Sequence, residues 1–232
     1  MSFNSLGVYM KKIYIAIIGL VVIAGGVTTW QLIANKKFST SGTTNSSQTS
    51  SISAMQKQYQ GYKGATYDRM FLAGMIAHHT GAIDMANLAL ANAKHQEIKD
   101  LATAIVSAQT SEISSMTSWQ TQWGYPATSG ANMQDHSAMM MEDEMAGMTN
   151  SLKGKTGDDF DKAFLTEMMA HHQQAIDMSK PAAANASHQE VKTLASNIIT
   201  AQTGEISKMK MWQAEWGYTQ SSSSDSMSGM HM

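Results

Sequence analysis

Met75-Ile76-Ala77-His78-His79-Thr80-Gly81-Ala82-Ile83-Asp84-Met85 has a near-copy further along the chain, Met168-Met169-Ala170-His171-His172-Gln173-Gln174-Ala175-Ile176-Asp177-Met178. Both copies hold adjacent histidines, a methionine three residues before the pair, and an Ala-Ile-Asp-Met ending. Outward from this motif, residues 71–125 align with residues 164–218 at a constant offset of 93, without a gap, and 33 of 55 positions are identical. An internal repeat of this length governs the architecture.

Within each copy, the segment with the His-His pair is followed by a second segment that ends in Trp-x-x-x-Trp-Gly-Tyr. Both have helical periodicity. In the second segment Ile98, Ile105 and Trp119 recur at heptad spacing, with Leu101, Ala108, Met116 and Trp123 between them. Gly124 and Gly217 are suited to end these helices. Ser187-His188-Gln189-Glu190 has the form of a capping box that starts the last one. Pro181 removes a donor and is expected to kink or shorten the third helix. Each repeat is then a helical hairpin that cannot bury its own apolar face. Two such hairpins about a pseudo-twofold axis make an all-α, four-helix bundle.

The flanks divide the rest of the chain. Lys11 and Lys12 precede an apolar run over residues 13–33, long enough for a bilayer and also in the form of a secretory signal. Residues 1–36 are read as a signal peptide or membrane anchor, an N-terminal hydrophobic helix that exports the remainder of the chain. Residues 37–54 are a Ser/Thr-rich linker, with 11 Ser or Thr among residues 39–53. The bundle is assigned to residues 55–219, with repeats at 67–125 and 160–218 and a Met-rich connector at 126–157. A tail, 220–232, holds Met227, Met230, His231 and Met232. Charged residues are 15% of the chain and the net charge is -2, so there is no basic field to hold nucleic acid.

Methionine is the compositional anomaly: 21 Met stand beside 8 His and no Cys. Absence of cysteine excludes thiolate catalysis, CxxC metal sites and disulfides. Methionine is ordinarily a good core filler, and Met116 and Met209 taken alone read as core. Imidazoles, however, fill a core poorly, and here they are paired and duplicated. In the connector, Met133, Met139, Met140, Met141, Met145 and Met148 accompany His136 with few apolar neighbours in sequence, so burial there is expected to gain little. The connector, with a short helix over about residues 138–152, and the tail are therefore expected to act as capture arms. Soft thioether and imidazole donors select Cu(I), and with it Ag(I), over hard ions.

On a helical projection His79 falls about 40° to one side of the Met75 stripe, and His78 and Met85 about 60–80° to the other. One imidazole of each pair therefore faces one neighbouring helix and its partner the other. Glu112 and Glu205 share heptad positions with Ile98, Ile105 and Trp119, or with Val191, Ile198 and Trp212. A carboxylate there needs a partner. Hydrogen bonding to a Trp indole or to a histidine is the preferred reading. Inward Glu and His side chains also occur in di-iron carboxylate bundles, which keeps a di-metal oxidase using Glu112, Glu205 and the histidines as the alternative.

Met-x-x-His-His-x-x-Ala-Ile-x-Met, followed by Gln-x-x-Glu-Ile-x-x-Met-x-x-Trp and Trp-Gly, resembles a ferritin-like four-helix-bundle family of unknown function with a copper-resistance member. The resemblance covers about residues 67–218. It implies an exported, non-enzymatic copper-binding protein of the periplasm or cell surface that sequesters or transfers Cu(I), with a copper-handling envelope protein as a potential partner. Carried onto this chain, it casts Met75, His78, His79, Met85, Met116, Met168, His171, His172, Met178 and Met209 as ligands, with His95 and His188 as further candidates.

Overall fold

The computed structural model describes residues 61–125 and 133–218. The anchor, the linker, the tail and the side chains of Met133 and His136 lie outside the described residues. Among those described, there are six helices and no named strand. They are α1 (Gly64–Asn92), α2 (Gln96–Gln122), α3 (Met133–Leu152), α4 (Gly157–Ser179), α5 (Ala182–Asn185) and α6 (Gln189–Glu215). No described helix is long and apolar enough to cross a membrane.

Helices α1 and α2 form one hairpin, α4 and α6 the other, and α1 packs on α4 between them. The core interleaves Phe71, Leu72, Met75 and Met85 of α1 with Phe164, Leu165, Met168 and Met178 of α4. Ile98, Ile105 and Met116 of α2, with Val191, Ile198 and Met209 of α6, close it. The expected all-α bundle of two hairpins is the fold observed.

Both second helices end alike. Gly124 and Gly217 take left-handed φ of 66° and 69°. The Tyr125 N–H then reaches the Gln120 carbonyl, and the Tyr218 N–H that of Gln213, each at 2.8 Å. This is the Schellman arrangement, which satisfies carbonyls the helix would otherwise leave open. Pro181 stops α4 at Ser179, but the short α5 resumes at Ala182 and carries the arm to Asn185. Asn185 is the counterpart of Asn92, where the uninterrupted α1 ends.

The capping box is not formed. His188 stands at the N-cap of α6 without a side-chain cap of its own, and the Ser187 hydroxyl bonds to Asp68 of the other repeat instead. The reason is tertiary: a buried carboxylate arriving from α1 takes the place that a local cap would fill.

The connector departs furthest from expectation. Its described part holds the 20-residue α3, whose Met141, Met145, Met148 and Leu152 are buried in the core cluster. Only Met139 and Met140 remain exposed among its described methionines. The apolar companions absent from the local sequence are supplied by α1. Ala73, Ala77 and Gly81 form a small-residue face of α1 turned towards α3, while Thr80, Asp84 and Asn87 of the same helix stay exposed. The corresponding face of α4 holds Thr166, Glu167, Ala170 and Gln174; Thr166 and Ala170 are exposed. Its Glu167 and Gln174 instead bond to Ser151 and Glu144 of α3 at 2.9 and 2.8 Å. Position 81/174, where the repeats differ, thus offers α3 a notch on α1 and a hydrogen bond on α4.

The approach at Gly81 is close. A Cβ there would lie 2.5 Å from Met145 Cβ and 2.7 Å from its Cγ. Gly81→Ala should therefore destabilise the protein by about 1–3 kcal/mol through overpacking, outweighing the helix-propensity gain of about 1 kcal/mol. Urea unfolding followed by circular dichroism measures this; an unchanged or raised midpoint would mean α3 is free to move off α1.

Candidate metal centre

The four motif histidines are fully buried, and each pair divides as the helical projection expects. His78 and His171 meet across the α1–α4 seam, ring centroids 3.6 Å apart and planes tilted by 37°. The His171 Nε2–H donates to the His78 carbonyl at 2.9 Å. His79 and His172 turn the other way, towards α2 and α6. Their Nε2 atoms lie 2.6 Å from Glu112 Oε2 and Glu205 Oε2. The two carboxylates sit at the partly open edge of the seam, 27% and 24% exposed. They bond to histidine, the preferred of the readings left open by the sequence.

These bonds set the tautomers. A carbonyl or an ionised carboxylate only accepts, which puts the ring proton of His79, His171 and His172 on Nε2. The Nδ1 lone pair of each is left free. All three Nδ1 atoms, and both ring nitrogens of His78, are buried with no hydrogen-bond partner within the protein. Such orphans are rare in native interiors. Here they coincide with six buried thioethers on the same helices and their hairpin partners: Met75, Met85, Met116, Met168, Met178 and Met209. Among the described residues no three His, Asp or Glu side chains are grouped to hold a metal. The buried donors that these helices carry are imidazole and thioether, a soft set.

Burial holds the His78 ring well below its ordinary pKa, with His79 and His172 nearby acting in the same direction. Burial does the same to His171, reinforced by His78 and His172. Both are neutral at pH 7, the form in which imidazole donates to a metal.

His95 and His188 lie apart from the motif pairs, in two reciprocal clasps. His95 Nδ1 bonds to Asp161 Oδ2 at 2.6 Å, and its ring stacks on Trp216 at 3.7 Å. His188 does the same with Asp68 at 2.6 Å and Trp123 at 3.6 Å. Each Asp also accepts two backbone N–H bonds from the start of the opposite repeat's second helix. Sequence reasoning missed Asp68 and Asp161. The available signal was their 93-residue spacing, just outside the aligned window.

Comparison with known proteins adds to this geometry. The model of the family described as "Domain of unknown function (DUF305)" matches residues 68–213 and, again, 161–232. No curated protein sequence matches the chain. Among solved structures, CopM in its Cu(I)-bound and Ag-bound forms is similar at 33% identity, covering 64% of this chain and 96% of CopM, with a TM-score of 0.53 in each case. CopM in its Cu(II)-bound form is similar at 32% identity over 67% and 99% of the two chains, TM-score 0.54. A DUF305 protein of Streptomyces coelicolor shares the fold at 23% identity, over 65% and 93% of the two chains, TM-score 0.57.

The buried neutral imidazoles make stability depend on pH. Unfolded, His78 and His171 return towards 6.5 and take up protons that the folded chain refuses. Their contribution is full above that value and is lost as pH falls through and below it. Two such groups should lower the unfolding free energy by about 2–3 kcal/mol between about pH 7.5 and about pH 5.5. Urea titrations of the metal-free protein across that range test this; a flat profile would show that the folded chain takes up protons as readily as the unfolded one.

Proposed function

The chain belongs to the DUF305 family, and on that premise we propose that it is an exported binding protein for copper, held as Cu(I), and for silver, rather than an enzyme. The observation that carries the reading is the set of five buried ring nitrogens without a partner on His78, His79, His171 and His172. The copper- and silver-bound forms of CopM support it, since both ions are soft and CopM is a third identical to this chain. Export rests on Lys11, Lys12 and the apolar run after them. The protein sequesters Cu(I) outside the cytoplasm or passes it to another copper-handling protein of the envelope, contributing to copper resistance.

In this reading Nδ1 is the donor atom of His79, His171 and His172. Glu112 and Glu205 act one step back: each accepts a hydrogen bond from Nε2–H and so fixes the ring and makes its free nitrogen more basic. Met75, Met85, Met116, Met168, Met178 and Met209 are the thioethers within the bundle from which the remaining ligands come. These donors need no deprotonation, so affinity falls only where the histidines take up protons.

Anaerobic titration with Cu(I) against a chromophoric chelator tests the proposal. Tight binding should be lost when His78, His79, His171 and His172 are all changed to Ala. Glu112→Gln with Glu205→Gln should weaken binding about 10–100-fold without abolishing it, as expected for groups that orient a ligand. Abolition by the Glu changes, together with turnover of Fe(II) in air, would instead make the protein a di-metal oxidase.

A further inference from the structure

Positions 81 and 174 are equivalent in the two repeats, each one helical turn beyond its inner histidine, His78 or His171. In the second repeat the position is Gln174, which is buried. Its amide donates to Glu144 of α3 at 2.8 Å. In the first repeat the position is Gly81, which has no side chain. The space is taken by Met145 of α3, whose Cβ, Cγ and Sδ lie 2.5, 2.7 and 3.1 Å from where a Cβ of residue 81 would stand.

The pseudo-twofold axis that relates His78 to His171 also relates position 174 to position 81. Residue 81 stands one turn beyond His78, whose ring meets that of His171 at 3.6 Å, so whatever fills the place beside residue 81 lies next to the histidine pair. That occupant is a buried thioether, and His171 Nδ1 is a buried lone pair without a protein partner. On the proposed function as its basis, we infer that Met145 is a ligand from outside the repeats, which with His78 and His171 forms a single soft-metal site on the bundle axis. Two imidazoles and a thioether suit a monovalent copper or silver ion. The site is asymmetric by construction: one half brings a thioether to the pair, the other an amide.

Met145 also lines a cleft of about 490 Å³ between α1, α2 and α3, together with Gly81, Asp84 and Glu142. Asp84 and Glu142 are exposed, so two carboxylates stand at the approach to the sulfur. They attract a cation at long range without holding it as soft donors do.

The test is Ag(I) binding by the full chain, measured by competition titration, with methyl-labelled methionine observed by NMR. Met145→Leu conserves volume and removes the sulfur. It should weaken the tightest site at least about tenfold while leaving helicity and Tm close to wild type. Met148→Leu, a second buried methionine of α3, should leave affinity unchanged. In the unsubstituted protein the Met145 methyl signal should shift with the first equivalent of Ag(I). Unchanged affinity in Met145→Leu, equal losses in both variants, or a Met145 methyl that stays in place would overturn the inference while leaving the copper function standing. Failure of the unsubstituted chain to bind Ag(I) or Cu(I) at all would remove both.

Discussion

Two buried carboxylates hold the halves of this protein together. Asp68, on the first helix of repeat one, reaches the start of the last helix of repeat two and accepts the backbone N–H groups of Ser187 and His188 and the His188 Nδ1–H. Asp161 makes the same bonds to Lys94 and His95. Both carboxylates are fully buried, so each depends on those donors to offset its desolvation, and charge-assisted bonds of this kind are about twice as strong as neutral ones. Each also lies at a helix N-terminus, where the backbone dipole favours negative charge. Because the bonds run only from one repeat to the other, neither hairpin can satisfy its own. The stacking of His95 on Trp216 and His188 on Trp123 obeys the same exchange.

With the repeats clasped at both ends, α1 and α4 are pressed together along the seam where His78 and His171 meet. Packing four histidines into that seam costs stability wherever their nitrogens lack partners. The fold offsets part of this through Glu112, Glu205 and the His78 carbonyl, and leaves five nitrogens open. Local inconsistency of this kind, inside an otherwise well-packed core, is where function is expected. The third helix adds a further asymmetry: its methionines join the core cluster, with Met145 at Gly81 of α1, while its polar residues bond to α4.

Much of this was legible in the chain. The offset of 93 and the helical periodicity were enough for two hairpins, since a repeat with one apolar face has to find its copy. Gly124 and Gly217 announced their helix ends because a left-handed residue is a local requirement. The division of His78 from His79, and of His171 from His172, followed from about 100° per residue. Three things were not legible. Met141, Met145 and Met148 had few apolar neighbours in sequence, and their partners on α1 are far away along the chain. Ser187 and Glu190 had the spacing of a capping box, but Asp68 competes for the Ser187 hydroxyl from 119 residues away. His95 and His188 carried no sign of the Asp and Trp that engage them.

By itself, then, the sequence determined the helices, their pairing into two like halves, the soft donor set and which face of each first helix carries it. These come from periodicity and side-chain chemistry, which act over a few residues. Only the tertiary structure decided which nitrogens stay free, that the carboxylates serve the histidines, and that α3 lies on repeat one with Met145 in the notch at Gly81. Those outcomes turn on contacts between segments far apart in the chain, and on space left by a missing side chain, which no local pattern encodes.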